Sequence, residues 1–406
     1  MIESFKIIND PVHGFVNIPS GLILEIIEHP YFQRLRDIKQ LGLTNLVYPG
    51  ATHSRLLHAL GAMHLMKEAI TNLQYKGIII NKEEEEASMA AILLHDIGHG
   101  PFSHALENNI IQGVSHEAIS LALMKAINKE KDGRLNRAIE IFEDKYEKHF
   151  LHQLVSSQLD VDRLDYLKRD SFFSGVAEGM IGLERIIKML NVHDNSLVVE
   201  QKGIYSIEKF LISRRLMYWQ VYLHKTVIAA EQLLIQILKR ARILTGNSVN
   251  LPGSPALIFF LKNSFRSDEL DNIEILGKFI LLDDTDIMSA IKQWQFADDK
   301  TLSLLCKMLT GRMLPKIILS LVPFSEGDVE KIKRNMVADK QSSDIDINYF
   351  VQSGEVWNSG YDAQEEEIKI LSKDGKIQNI YLISDMLSAK AFSKITKKYF
   401  LCTAKI

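Results

Sequence analysis

Apolar residues recur every three to four positions over long stretches of the chain, a spacing that places them on one face of an α-helix. Between residues 55 and about 72 the repeat runs through Leu56, Leu60, Met63 and Met66. A second stretch, 83–96, begins with acidic residues, which suit the positive end of a helix dipole. Its continuation is nearly all apolar, so we expect this helix to be buried.

Similar patterns predict helices at 22–29, 32–41, 115–128, 134–148, 150–168 and 207–244. The first twenty residues are expected to form irregular or short extended structure. A hairpin is predicted over 196–205, with its turn at Lys202-Gly203. The first 245 residues are therefore expected to be almost entirely helical.

The chain changes character after residue 245. Gly and Pro concentrate between 246 and 255 and predict a linker, followed by short helices to about 310. Strands are predicted at 367–371, 378–383 and 399–403, the first two joined by a turn at 373–376. We therefore predict a mostly α fold, with a core at 1–245, a linker and helical extension at 246–310, and a small α+β region at 311–406.

Composition narrows the class of protein. Of 406 residues, 46% are hydrophobic and 24% charged, as in ordinary globular proteins. The 48 Lys and Arg against 51 Asp and Glu give a net charge of −3, so no overall positive field attracts a polyanion. Two cysteines exclude a disulfide framework and a cysteine zinc site. Neither a signal peptide nor an apolar run long enough for a membrane is visible, so we expect a cytoplasmic protein without a membrane partner.

The candidate chemistry concentrates where the second helix ends. Within ten residues stand His95, Asp96, His99 and His104. A buried helix that ends in His-Asp would carry two polar groups that are costly to bury unpaired. A metal ion would remove that cost, because imidazole and carboxylate are ligands for Mn, Fe, Zn or Ni, and carboxylates also suit Mg.

Two adjacent residues cannot complete a metal shell. On residue type alone the remaining candidates are His53, His58, His64, His116, Asp160, Asp162 and Asp165. Isolated histidines such as His13, His64 and His224 are more often structural, and Asp165 could equally be an acid on a helix surface. The residue pattern by itself leaves this choice open.

Several segments together resemble one known family. His58, His95-Asp96 and Asp162 follow the H…HD…D order of HD-domain phosphohydrolases. The segments at 6–14, 32–36, 38–42, 48–55, 95–104 and 160–166 resemble the deoxynucleoside triphosphate triphosphohydrolases, including the sterile-alpha-motif and HD-domain enzyme and its bacterial relatives. The resemblance covers roughly residues 5–245 and implies an HD-domain helical bundle core.

The resemblance also implies an activity. One divalent metal (Mn, Mg, Fe, Zn or Ni) would be held by His58, His95, Asp96 and Asp162. Water would attack the α-phosphorus of a deoxynucleoside triphosphate, releasing deoxynucleoside and tripolyphosphate. Arg55 lies one helical turn before His58, which suits a phosphate contact.

Roles for the remaining site residues follow from the resemblance. His104 would be the general acid, held by Glu107 where the family often has Asp, and His99 and His116 would steady the phosphates. Arg163 and Arg214 would bind the outer phosphates. The deoxyribose would be recognised by Gln40, Tyr166 and Asp170, while Leu41 and Tyr222 leave no room for a 2′-hydroxyl.

The resemblance further implies regulation. A guanine nucleotide, GTP or dGTP, would bind an allosteric site between subunits formed by Lys6, Asn9, Glu28, Gln33 and Arg36, coupled to dimer or tetramer formation. Two other functions stay open. One is an HD phosphohydrolase for another phosphoester, such as a nucleoside monophosphate or cyclic nucleotide, and the other is a nucleic-acid-binding or scaffold protein with a vestigial metal site. The local charge of +3 between residues 31 and 58 favours a small triphosphate over a long nucleic acid.

Overall fold

Two apolar stretches of the sequence form buried helices at the centre of the structure. The first, Arg55–Tyr75, buries Leu56, Leu60, Met63 and Met66 as predicted. The second, Lys82–Leu94, starts at Asn81, which exchanges side-chain and backbone hydrogen bonds with Glu84 in a capping box. These two helices pack on each other and carry the main hydrophobic core.

The computed structural model describes residues 5–103, 113–265, 269, 272–338, 344–358, 367–385 and 396–404. In these residues the helices, α1 to α17 in chain order, are Leu22–Ile27, Pro30–Gln33, Arg55–Tyr75, Lys82–Leu94, His116–Glu130, Asn136–Phe142, His149–Val155, Val161–Ser174, Leu183–Met189, Ile204–Met217, Lys225–Gly246, Pro255–Lys262, Ile273–Phe279, Asp284–Trp294, Lys300–Thr310, Glu326–Ala338 and Ile380–Ile383. The strands, β1 to β9, are Phe5–Asp10, Gly14–Pro19, Leu190–His193, Ser196–Glu200, Lys316–Ser320, Val351–Asn358, Lys369–Leu371, Ile377–Asn379 and Thr396–Thr403. The predicted mostly α fold is confirmed.

The strands form three small sheets within the described ranges. β1 and β2 form an antiparallel hairpin where the sequence predicted irregular or short extended structure. β5, β9 and β6 form an antiparallel sheet. β4 pairs in parallel with β7, with Val199 opposite Ile370, so the C-terminal region completes a sheet begun by β3 and β4.

Three of the predicted helices end early or are broken. The one at 32–41 ends with a 3₁₀ turn at Arg34–Asp37, because the following residues bond to the chain before α3: Gln40 N–H donates to His53 O. The one at 150–168 breaks because the Asp160 carboxylate accepts from two backbone N–H groups and caps α8. The one at 134–148 already ends at Phe142.

The helix predicted at 207–244 is interrupted. α10 ends at Met217, a π-helical turn spans Tyr218–Tyr222, and α11 begins after His224, whose side chain accepts from Thr226 N–H. π-helical turns inside helices are often found at functional sites. Here the turn carries Tyr218 and Tyr222, whose rings contact each other, and Tyr222 also contacts Tyr166 on α8.

The predicted hairpin at 196–205 is wrong in its position. β3 and β4 turn at Asp194-Asn195, whose φ angles of 46° and 59° are those of a two-residue hairpin turn with positive φ. Lys202-Gly203 lies in a 3₁₀ turn instead. Residues 380–383, predicted as part of a strand, form the short helix α17, while β5, β6 and α16 were not predicted.

Membrane-spanning helices are not found in the described part of the chain, because none combines the required length with sufficient hydropathy.

One glycine determines how closely two helices approach inside the core. A Cβ added to Gly61 on α3 would lie 2.1 Å from Asp165 Oδ1 and 2.2 Å from an Arg169 nitrogen on α8. α3 and α8 can therefore pack this closely only with glycine at this position.

We expect Gly61→Ala to lower the free energy of unfolding by about 1–3 kcal/mol, the usual cost of overpacking a core. Chemical denaturation measures this change. Gly277→Ala is the matched control, because nothing lies within 4 Å of the added methyl group in α13. That variant should be stabilised by roughly 0.5–1 kcal/mol, as expected for replacing a helical glycine. Equal effects of the two substitutions would contradict the close approach of α3 and α8.

Candidate metal centre and active site

Four predicted metal ligands come together from three helices. His58 lies on α3, His95 and Asp96 follow the end of α4, and Asp162 lies in the first turn of α8. Asp162 Oδ1 is 3.0 Å from Nε2 of His58 and 3.4 Å from Nε2 of His95. Asp96 Oδ1 is 3.4 Å from His95 Nε2, and Asp96 Oδ2 is 3.8 Å from His58 Nε2.

The two histidine Nε2 atoms are buried and make no hydrogen bond. Buried polar atoms without a partner are costly and therefore rare. A ligand atom each from His58, His95 and Asp162 lies within 4.8 Å of the other two. Two imidazole nitrogens and nearby carboxylate oxygens fit a divalent transition-metal ion.

A buried carboxylate fixes the orientation of His58. Asp165 is fully buried and its Oδ2 lies 2.8 Å from Nδ1 of His58, which leaves Nε2 directed at the metal ligands. Asp165 also contacts His13 Nε2 at 2.6 Å and accepts two hydrogen bonds from Arg169. Arg169 in turn donates to Asp10 at the end of β1. The alternative that Asp165 is a surface acid is wrong, and the N-terminal hairpin is linked to a candidate metal ligand.

Sequence reasoning missed this supporting role because the contacts are distant along the chain. Asp165 and His13 are 152 positions apart. Hydrogen bonding from a carboxylate to the second ring nitrogen is the usual arrangement of a metal-binding histidine. The one available signal was the second Asp in Asp162-Arg-Leu-Asp165, three residues after the proposed ligand and so near it on a helix.

Opposing effects set the pKa values of the candidate metal ligands. Burial by itself would lower the pKa of His58, but Asp162 and Asp165 raise it to about 10. For Asp162, burial opposes ionisation, yet His58 and His95 hold its pKa below the usual range. A cation bound at His58 Nε2 would replace a proton, so metal binding should release protons.

Arg55 is directed at the metal ligands. Its side chain is 2% exposed, pairs with Asp96 through Nη1, and donates from Nε to Ser103 Oγ at 2.8 Å. His99 Nε2 lies 3.3 Å from Asp96 Oδ1, and the His99 ring stacks on His116 with centroids 3.9 Å apart. Burial and then the Arg55 charge lower the pKa of His99 well below its usual range, so its imidazole is neutral at pH 7.

A cavity of about 270 Å³ opens beside these groups. Its lining combines candidate metal ligands, basic and histidine side chains, and polar and aromatic groups: Gln40, Arg55, His95, Asp96, His99, His116, Glu117, Phe142, Val155, Ser156, Asp162, Arg163, Tyr166 and Tyr218. The sequence resemblance did not single out Glu117, Phe142, Ser156 or Tyr218.

The residues predicted to recognise the sugar are Gln40, Leu41, Tyr166, Asp170 and Tyr222, and their contacts differ from one another. Asp170 contacts His53 Nε2 at 2.8 Å through one oxygen and accepts the Tyr222 hydroxyl at 2.8 Å through the other. Tyr222 packs edge-on to Tyr166. Gln40 Oε1 is buried without a hydrogen-bond partner. Leu41 packs partly buried against the hydrophobic core.

The two arginines predicted at the outer phosphates are tied to neighbouring polar groups. Arg163 pairs with Asp160, and the buried Arg214 donates to Gln158 at 2.9 Å. The Nε atom of each is buried and makes no hydrogen bond. The predicted general acid His104 and its partner Glu107 lie outside the described residues.

The predicted allosteric residues lie on and beside the N-terminal hairpin. Lys6 Nζ is 2.5 Å from Glu28 Oε1, and both side chains are about 60% exposed. Arg36 donates to Gln33 Oε1 at 2.8 Å, and Asn9 pairs with Phe15 in the hairpin. Four of the five predicted residues thus form two polar pairs, Lys6–Glu28 and Arg36–Gln33, and the fifth, Asn9, lies in strand β1.

Comparison with known proteins identifies the family. A model of the HD domain matches residues 52–170, and a model of the HD associated region matches 181–248. The crystal structure of a phosphohydrolase from Bacteroides thetaiotaomicron has 53% sequence identity and a TM-score of 0.95, covering 99% of this chain and all of that one. The chain belongs to the HD-domain phosphohydrolase family.

Other relatives of this HD-domain protein differ in coverage. The uncharacterized protein YwfO of Bacillus subtilis is 30% identical over 92% of this chain and 87% of its own length. The deoxynucleoside triphosphate triphosphohydrolase SAMHD1 homolog of Dictyostelium discoideum is 32% identical over 242 residues. That match covers 55% of this chain and 47% of the Dictyostelium protein, so the chain spans about half of it.

We expect His95→Ala or Asp96→Ala to abolish both stoichiometric metal binding and hydrolysis, because each removes a donor from the centre. Elemental analysis of protein reconstituted with manganese measures the first, and product release the second. His149→Ala is the control, since His149 pairs with Asp144 at the surface and should keep both properties. Full metal content with full activity in either ligand variant would exclude this centre.

Proposed function

We propose that this HD-domain phosphohydrolase converts deoxynucleoside triphosphates to deoxynucleoside and tripolyphosphate. The observation that carries the proposal is the composition of the 270 Å³ cavity, which joins the candidate metal ligands to Arg163 and Tyr166. The match to the Dictyostelium triphosphohydrolase supports the same substrate class. A nucleoside triphosphate needs cationic and hydrogen-bonding groups for its phosphates and polar groups for its sugar. Arg55 and Arg163 in the lining suit the first, and Gln40 and Tyr166 suit the second.

The phosphate end of the substrate would lie against His99, His116 and Arg163. A divalent cation held by His58, His95, Asp96 and Asp162 would polarise a phosphate oxygen and lower the pKa of a bound water. His99, whose Nε2 faces Asp96, would lie beside a phosphate oxygen, and Arg163 offers an Nε–H that makes no hydrogen bond in the described structure. Fixed donors of this kind stabilise the negative charge that grows in the transition state.

Departure of the 5′-oxygen requires a proton. We assign that proton to His104, supported by Glu107, on the resemblance to the triphosphohydrolases. His99 is unsuited to this role, because its depressed pKa leaves it without the proton of an imidazolium at neutral pH. Arg55 instead holds Asp96 in place and adds positive charge beside the phosphates.

The deoxyribose would lie against Gln40, Tyr166 and Asp170, with Leu41 and Tyr222 closing the space for a 2′-hydroxyl. His53 and Tyr222 fix the two oxygens of Asp170, and each oxygen retains a lone pair that can accept a sugar hydroxyl. The buried, unpaired Gln40 Oε1 is a second acceptor. Arg214, whose Nε has no partner, would contribute to the phosphate side.

Regulation by GTP or dGTP would act at Lys6, Asn9, Glu28, Gln33 and Arg36, together with dimer or tetramer formation. The Lys6–Glu28 ion pair is exposed, and exposed pairs contribute little free energy. A nucleotide could therefore replace it at small cost, with Lys6 at a phosphate and Glu28 at a guanine edge. Successive side-chain contacts, Asp10–Arg169–Asp165–His58, would connect this segment to the metal ligands.

The test is incubation with each deoxynucleoside triphosphate and manganese or magnesium, with and without GTP, followed by chromatography of the products and light scattering. We expect deoxynucleoside and tripolyphosphate in equal amounts, and a faster rate with larger assemblies when GTP is present. Release of orthophosphate from nucleoside monophosphates, without turnover of triphosphates, would favour a phosphohydrolase for another phosphoester. Tight oligonucleotide binding with steep salt dependence and no turnover would favour a nucleic-acid-binding protein.

The Tyr222 ring and hydroxyl can be separated experimentally. We expect Tyr222→Ala to reduce the ratio of kcat/KM for dGTP over GTP by roughly 10- to 100-fold, because an apolar wall rejects an added hydroxyl by about that factor. Tyr222→Phe is the matched control: it keeps the ring, so the ratio should persist while deoxynucleotide turnover falls through loss of the bond to Asp170. An unchanged ratio in Tyr222→Ala would remove Tyr222 from sugar discrimination.

A further inference from the structure

A carboxylate from the helical extension reaches two loops of the active site. Asp284 is the first residue of α14 and is 4% exposed. Its Oδ1 accepts from Phe102 N–H at 2.7 Å, and its Oδ2 accepts from Lys39 N–H at 3.0 Å. Asp284 lies outside the residues matched by the two family models, which end at 170 and 248.

Both loops carry residues of the cavity described above. Lys39 precedes Gln40, whose side chain lines the cavity. Phe102 follows His99 by three residues and precedes Ser103, which accepts from Arg55 Nε. One carboxylate thus holds the backbone on the sugar side and the backbone on the phosphate side at the same time.

The conformation of the second loop requires such support. Phe102 and Ser103 have φ angles of 54° and 51°, a left-handed conformation that bulky residues rarely adopt. Conformations of this kind persist only where surrounding contacts enforce them. Asp284 bonds to Phe102, while Ser103 Oγ bonds to Arg55 and to Lys39 O. These contacts connect the two loops to each other and to α3.

Arg34 joins the same regions a second time. It donates to Leu282 O just before α14, and to Ile97 O and His99 O in the loop after α4. Its guanidinium lies 4.7 Å from the centre of the Phe279 ring. The segment 279–284 is therefore attached to the active-site loop through two independent side chains.

We propose that Asp284 is a positioning residue for catalysis: it holds the loops at 38–40 and 97–103 in the geometry that phosphoester hydrolysis requires. The helical extension therefore helps to set the geometry of the active site. The catalytic half of this proposal rests on the proposed hydrolase function, whereas the loop-holding half does not. The exposed carboxylate of an ordinary first-turn residue would only favour the helix dipole.

The test compares the full-length protein with Asp284→Ala, Asp284→Asn and Asp284→Glu. Alanine removes both acceptors, asparagine keeps the volume but only one acceptor oxygen, and glutamate keeps both oxygens on a longer stem. Asp286→Ala is the matched control, because it loses a carboxylate bond to Asp283 N–H in the same helical turn. Any effect of simply weakening α14 should appear equally in that control.

Three measurements are made on each variant: amide hydrogen exchange, manganese content and steady-state turnover of the phosphoester that the wild type hydrolyses. We expect exchange at 38–40 and 97–103 to accelerate about tenfold or more in the Ala and Asn variants, as local hydrogen bonds are lost. Turnover should fall roughly 10- to 100-fold, mainly in kcat, as expected for misplaced catalytic groups. Manganese content should stay at the wild-type level, and glutamate should restore part of the rate.

The outcomes separate the two halves of the proposal. Exchange at both loops equal to that of Asp286→Ala would overturn loop holding, and faster exchange with unchanged kcat would overturn the catalytic role. If Asp284→Ala does not fold, the Asn variant decides the same questions. If the wild type hydrolyses a phosphoester other than a deoxynucleoside triphosphate, the proposed substrate fails while these comparisons still decide the role of Asp284.

Discussion

The buried Asp165 carboxylate is the constraint around which the active site is arranged. It contacts His58, His13 and Arg169 at once, and none of the four side chains could be buried cheaply without the others. Removing one partner of such a buried network typically costs about 3–5 kcal/mol. The same carboxylate sets the ring orientation of His58, so the stability of the core and the geometry of the candidate metal centre have a common origin. Gly61 belongs to this arrangement, because it gives Asp165 the room to sit against α3.

The periodic apolar pattern was sufficient to predict the helices that pack on the core. α3 and α4 follow prediction closely because their burial and their local propensity agree. The errors fall where local contacts override periodicity. The helix predicted at 150–168 is broken by the Asp160 cap. The hairpin turn uses Asp194-Asn195, because Asp and Asn tolerate the positive φ angles found there, and in the sequence they are as good a turn signal as Lys202-Gly203.

The sequence predicted the candidate metal ligands but not the residues that position them. Histidine and aspartate as ligand types are visible in the sequence, but the residue pattern left the set open, and the choice of His58, His95, Asp96 and Asp162 came from the resemblance to the family. Their support is not visible, because His13 and Asp165 come together only through the packing of the hairpin on α8. Asp284 is hidden for the same reason, since 182 positions separate it from Phe102. Composition was a poor guide as well: a chain with a net charge of −3 places Arg55 and Arg163 together at one cavity.

The parallel pairing of β4 with β7 has a consequence for biosynthesis. β4 ends at residue 200 and β7 begins at residue 369, so β4 leaves the ribosome long before the strand that covers its open edge. Unpaired strand edges invite association with other chains, and non-local strand pairing is intrinsically slow. The nascent core therefore passes through a period in which its helices can assemble while one sheet edge remains exposed. Protection of that edge during translation, for example by a chaperone, would bear directly on the yield of folded protein.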